Sequence, residues 1–203
     1  MATEYKNLID GELITTSGWM DVVNPANETV IGKVPSCGED ELNRAVAAAR
    51  REFKTWSKTP IEERRKALHA IADTIEAHHD ELFRLLTSEQ GKPHAQAEME
   101  IGGAPANIRA QASLEFEDVI NEDSDDRLSR TRRVPVGVVG GIVPWNFPVL
   151  MAVQKIAPAL LSGCTIVLKP SPFTPLTTLR IAELIADKVP AGILNIITGE
   201  DSL

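Results

Sequence analysis

Cysteine is scarce in this sequence of 203 residues: there are two, Cys37 and Cys164, far apart and without CxxC spacing. The four histidines, His69, His78, His79 and His94, form no metal-ligand pattern with them. This speaks for a reducing, cytosolic compartment and against structural zinc. Runs of Lys or Arg are also missing. The net charge of -8 comes from acids spread through helix-like segments, so no basic stripe is available to neutralise a phosphate backbone, and nucleic acid is not an expected partner. No apolar core or Arg-rich transit pattern opens the chain, which begins MATEYKNLID; a cytoplasmic location is expected. One uncharged run, from Val134 to Gln154, reaches the ~20 residues of a spanning helix. Pro135, Pro144, Pro148 and the glycines break such a helix, and Val136–Val143 is rich in β-branched residues, so a buried strand followed by a loop is expected and a membrane is not. Finally, no GxGxxG follows that strand: Gly137, Gly140 and Gly141 lie within it, and the standard pyrophosphate turn of a dinucleotide fold is absent.

What is present is ordinary globular material, 43% apolar and 25% charged, enough for one or two domains. From Leu8 to Pro35 short apolar runs alternate with turn residues, Asp10-Gly11 and Asn24-Pro25, which predicts two or three short strands. From Glu39 the period changes. Leu42, Ala45, Val46, Ala49, Phe53 and Trp56 fall at helical spacing behind an acidic first turn. Thr59-Pro60-Ile61-Glu62 reads as a capping box with proline at the first helical position, and opens a helix that carries Leu68, Ile71, Ala72 and Ile75 inward. A further helical stretch through Leu82, Phe83, Leu85 and Leu86 stops at Gly91, with Pro93 beyond. In the next segment Gly102, Gly103 and Pro105 are expected to bend or weaken a helix. The charged stretch from Glu117 to Arg133 reads as a solvated loop, or as an arm that pairs with another subunit through strand edges.

Beyond Val134 the pattern is regular: a strand at Val136–Val143, a helix at Pro148–Leu161, a strand at Thr165–Lys169, a helix at Pro175–Lys188 and a strand at Leu194–Ile197. Such alternation predicts a parallel sheet with right-handed crossovers, one half of a doubly wound α/β fold. Ligands in such sheets bind beyond the carboxyl ends of the strands, where VPWNFP and KPSP both fall. Pro144 and Pro148 restrict the backbone around Asn146, a neutral amide that keeps its donors at any working pH. Its N–H could be aimed at an oxygen on which negative charge develops, or it could satisfy neighbouring loop carbonyls. Lys169 could donate to ribose hydroxyls or a phosphate, or be a surface lysine.

The order VGVVGGIVPWNFP, KIAPALLSGCTIVLKPSPFTPLTTL and VPAGILNIITG resembles the aldehyde dehydrogenase superfamily, and IDGEL, NPANETVIGKVP, AVAAAR and EQGKPHAQAEMEI resemble its N-terminal region. The resemblance implies NAD(P)-dependent oxidation of a small-molecule aldehyde to a carboxylic acid. A cysteine thiolate attacks, an Asn side chain and a backbone N–H hold the oxyanion, hydride passes to the nicotinamide to leave a thioester, and a glutamate activates the water that hydrolyses it and releases the acid. On that match Asn146 is the oxyanion donor. Ile142, Val143, Pro144 and Trp145 line the cofactor cleft, while Lys169, with Ser171, contacts the adenosine ribose. Many NAD-preferring members carry an acid after KPS; here that residue is Pro172, so both NAD and NADP remain open. The family also implies a homo-oligomer for its full-length form.

The family's nucleophilic cysteine and general base have no counterpart before Leu203, and Cys37 and Cys164 read as structural. Three parts are expected: 1–116, the N-terminal part of the cofactor-binding domain; 117–135, an oligomerisation arm; and 136–203, the first half of the Rossmann-type fold. Half of such a sheet leaves an edge and an apolar face uncovered. The expected polypeptide is an N-terminal portion, inactive alone. The competing reading is a non-catalytic module that assembles with a full-length partner or binds nucleotide weakly.

Overall fold

The structure is a computed structural model that describes residues 2–203. Five short strands come first: β1 (Thr3–Glu4), β2 (Asn7–Ile9), β3 (Glu12–Ile14), β4 (Trp19–Val23) and β5 (Val30–Pro35). Between β2 and β3 the turn is the one that Asp10-Gly11 predicts, with φ of 58° and 78°, the two positive values that a tight hairpin needs and that Asp and Gly tolerate. At Asn24 the side-chain oxygen accepts from the Ala26 N–H at 2.9 Å, closing the second predicted turn.

The helices α1 (Glu39–Trp56), α2 (Ile61–Ala77), α3 (His79–Gln90) and α4 (His94–Ala112) follow. On α1 the Glu41 carboxylate accepts from the Gly38 N–H at 2.9 Å, which satisfies a donor at the helix start. The capping box expected at Thr59 does not form. Pro60 itself is the N-cap of α2, and the Thr59 hydroxyl donates instead to the Thr55 carbonyl at the end of α1, because the connection between the two helices is too short to free it. Gly91 ends α3 in the left-handed region, φ 83°, as its position predicts. Contrary to expectation, α4 runs unbroken through Gly102, Gly103 and Pro105. Its buried face, Ala97, Ile101, Ala104, Ile108 and Ala112, packs against α2, α3 and α5 (Pro148–Leu161), and this burial outweighs a propensity cost of roughly 3 kcal/mol for the proline and about 1 for each glycine.

A hairpin, β6 (Val119–Ser124) and β7 (Arg127–Thr131), pairs with itself as a separate two-stranded sheet with nearly every residue exposed. Then come β8 (Val138–Ile142), α5, β9 (Thr165–Lys169), α6 (Leu176–Ile185) and β10 (Leu194–Ile196), within a few residues of the predicted spans. The main sheet runs β3-β2-β10-β9-β8. Its β10-β9-β8 part is parallel and gives the 3-2-1 half of a doubly wound order. The β2–β3 hairpin joins beyond β10, antiparallel, so β10 is covered from the N-terminal segment and the edges of the sheet are β3 and β8.

Strand alternation divides the core. Ile166 and Leu168 of β9 face the larger cluster under α5 and α6, whereas Val167 faces α1 with Ile9, Ala45, Ala49 and Ile197. Trp56, buried, ties α1 to the end of α5 by donating its Nε1–H to the Leu160 carbonyl at 3.0 Å. Among the described residues no helix is long and apolar enough to cross a membrane.

Candidate functional site

Ile142 and Lys169 are register partners at the carboxyl ends of β8 and β9, and the Val143 N–H donates to the Lys169 carbonyl at 3.0 Å. The two loops that follow therefore leave the sheet side by side. They are also tied, since the Thr174 hydroxyl donates to the Trp145 carbonyl at 3.3 Å. The first loop bends at residues 145–147 and becomes α5 at Pro148, where a fixed φ and a missing N–H cost nothing. Asn146 is exposed at the head of that helix rather than buried. Among the described residues its side-chain amide takes part in no hydrogen bond; its backbone oxygen accepts one from Lys92 Nζ at 2.9 Å. An amide donor held beside a helix N-terminus can serve an oxygen on which negative charge develops.

Behind this edge lie charged groups inside the core. Neither α5 nor α6 has a capping side chain of its own, because their N-caps are Phe147 and Pro175. Carboxylates distant in sequence stand in. Glu100 Oε1, on α4, accepts from the Val149 and Leu150 N–H groups at 2.9 and 3.1 Å, and its other oxygen is paired with Lys92. Glu89, at the end of α3, accepts from the Leu176 and Thr177 N–H groups at 2.6 and 2.9 Å. Burial pushes the Glu89 carboxyl up to about 7, against the pull of those N–H groups and with a smaller push from Glu100.

On the α1 side of the sheet, a cleft of about 350 Å³ is lined by Leu42, Val46, Arg50, Ile142, Lys169 and Ile197 among others. Two cations and no acid contribute to its wall, which is chemistry for an anionic ligand with an apolar portion. A larger open groove, about 570 Å³, lies away from the strand ends beside Trp56 and Lys188, and we assign it no chemistry.

The predicted site residues divide accordingly. Ile142, 77% exposed, and Lys169 share the cleft wall, while Pro144 and Trp145 stand exposed on the loop outside it. Val143 points to the other side of the sheet and is buried in the main core, as alternation from Ile142 requires. Ser171 is largely buried and its hydroxyl accepts from the Phe173 N–H at 3.3 Å, within its own turn. Both cysteines are free and buried. Burial lifts the Cys37 thiol to about 11, with Glu41 adding to the effect, and its sulfur accepts from Asn7 Nδ2 at 2.8 Å.

Sequence reasoning did not find Lys92, Glu89, Glu100 or Arg50. A signal for the two glutamates existed: Glu89 continues the apolar stripe Leu82, Leu86, and Glu100 sits between Ala97 and Ala104 on the inward face of α4. An acid on a buried stripe requires a partner.

The aldehyde dehydrogenase family model matches residues 14–203. A probable aldehyde dehydrogenase from Pseudomonas sp is 42% identical over 197 residues, 96% of this chain and 40% of that one. The NADP(+) succinate-semialdehyde dehydrogenase GabD of Escherichia coli (strain K12) is 40% identical over 198 residues, 95% of this chain and 41% of that one. Among solved structures, an NAD+ complex of aldehyde dehydrogenase from Bacillus cereus superposes with a TM-score of 0.94 at 37% identity, covering 98% of this chain and 42% of that one. The chain thus spans well under half the length of these relatives, over the part that carries Asn146 and Lys169, and it belongs to the aldehyde dehydrogenase family.

Proposed function

We propose that this chain supplies the oxyanion donor and the first half of the nucleotide site for NAD(P)-dependent oxidation of an aldehyde to a carboxylic acid. The observation that carries the reading is Asn146: an exposed amide, unpartnered among the described residues, at the carboxyl end of β8 and the head of α5. Its N–H donates to the aldehyde oxygen as that oxygen gains negative charge, and donors of this kind are worth about 10²–10³ in turnover. Lys169 and Arg50 give the cleft its positive wall, and Ile142 its apolar one, which suits NAD or NADP. When bound, the nicotinamide accepts hydride. Pro172 puts no carboxylate beside the ribose, so a 2′-phosphate meets no repulsion there.

Neither thiol of this chain is suited to attack the aldehyde. Burial keeps the Cys37 thiol protonated at neutral pH, and Cys164, between α5 and β9, is only 3% exposed and lies away from the Asn146 loop. These 203 residues therefore bind nucleotide without turnover, and an aldehyde is oxidised only where a cysteine-bearing second half is joined to them. The β6–β7 hairpin, with Val119, Ile120 and Leu128 exposed, suits an arm that docks on a second copy.

The test follows formation of reduced nicotinamide with the 203-residue chain and with the longest chain its coding frame gives. Oxidation above a heat-killed control by the longer chain only is the expected result. Oxidation by the shorter chain would show that the nucleophile has been misassigned.

A further inference from the structure

The Asn146 loop owes its position to side chains that come from α3 and α4. Lys92 leaves the end of α3 immediately after the left-handed Gly91, and its ammonium meets the Asn146 carbonyl at 2.9 Å, the Glu100 carboxylate, and the face of Phe147 at 4.4 Å from the ring centroid. Glu100 in turn accepts from the Val149 and Leu150 N–H groups. The pair therefore holds the chain at Asn146 itself and again three and four residues on. Both side chains are almost fully buried, at 5% and 0% exposure. Exchanging a buried pair for apolar residues is often neutral for stability, so stability alone gives a weak reason for two charges here. Geometry gives a stronger one, because fixing the Asn146 carbonyl fixes the peptide plane from which its side chain departs, while Glu100 fixes the helix head beyond it.

We propose that Lys92, oriented by Glu100, is a positioning residue for the Asn146 amide, acting through the Asn146 backbone carbonyl. This rests on the reading of Asn146 as the oxyanion donor. Lys92 is not a catalytic residue, since among the described residues its contacts are to protein groups behind the loop.

A double-mutant cycle in the longest chain of the coding frame tests it. Lys92→Met is expected to lower kcat about 10- to 100-fold, the scale of a displacement near 1 Å, with aldehyde KM and nucleotide Kd within about twofold. In an Asn146→Ala background the same change is expected to cost no more than about twofold, because the group it positions is gone. Glu100→Gln keeps the acceptors for Val149 and Leu150 but removes the charge, and should give a smaller loss with the same dependence on Asn146; it carries the cycle if Lys92→Met does not fold. In the 203-residue chain, Lys92→Met should speed amide exchange at Phe147, Val149 and Leu150 and leave β9 unchanged. Equal losses in both backgrounds, an unchanged kcat, or exchange that rises everywhere would overturn the positioning role while leaving the oxyanion reading intact. An unchanged kcat in Asn146→Ala alone would overturn that reading, and the positioning role with it.

Discussion

Replacing Glu89 by glutamine should remove a pH dependence from the stability of this chain. Its carboxyl is buried between the end of α3 and the head of α6, and burial raises it from 4.5 to about 7. At about 1.4 kcal/mol per unit, that shift corresponds to roughly 3 kcal/mol. The direction follows from linkage. Between the unfolded value and about 7 the folded chain holds a proton that the unfolded chain has released, so stability is greatest below the unfolded value and declines as pH rises through that interval. Above the folded value the whole amount has been lost. Glutamine carries no charge at any pH and keeps an acceptor oxygen for one of the two N–H groups, Leu176 or Thr177, which Glu89 serves with separate oxygens; the lost acceptor lowers stability by an amount that does not vary with pH. Urea unfolding of both proteins at pH values from about 4 to about 8 reads the effect, because the m-value should be shared. The stability of the wild type relative to Glu89→Gln should fall by about 3 kcal/mol across that range. Parallel curves for the two proteins would refute the reasoning and mean that the helix N–H groups compensate the buried charge in full.

The two thiols should be silent toward a disulfide reagent near pH 8 in the folded chain and react rapidly after unfolding in urea; rapid labelling of the native protein would show that Cys37 or Cys164 is more accessible than its burial implies. Pro172→Glu should raise the KM for NADP relative to that for NAD about tenfold or more in the longer chain, as a carboxylate beside a 2′-phosphate repels it by roughly 1–3 kcal/mol; an unmoved ratio would place the ribose away from this turn. Ile120→Asp with Leu128→Asp should reduce the oligomer mass measured by light scattering if the β6–β7 hairpin docks on another copy, and an unchanged mass would assign assembly to another surface.

Much of the fold was legible because periodicity and turn chemistry agree with it. The inward faces of α1, α2 and α3 follow from their spacing, the β2–β3 hairpin from Asp10-Gly11, and α5 and β9 coincide with the spans read from the sequence. The continuity of α4 was not legible, since local preference opposes it and only packing against α2, α3 and α5 restores it. The addition of β2 and β3 beyond β10 was equally hidden, because it joins residues nearly the whole chain apart. At the candidate site, Asn146 and Lys169 stand out in the sequence by their places at strand ends, and Ile142 by the motif alone. The burial of Val143 was a matter of strand parity that the motif alone obscured. Lys92, Glu89 and Glu100 act on loops and helices some 50 to 90 residues away, a relation that spacing within one helix cannot express.

The proposed role of Asn146, stabilising negative charge on the aldehyde oxygen, is tested by Asn146→Ala in the longest chain of the coding frame, read through steady-state formation of reduced nicotinamide. The expected kcat is lower by about 10²–10³, with nucleotide Kd and thermal stability close to wild type. A kcat within about twofold of wild type would contradict it.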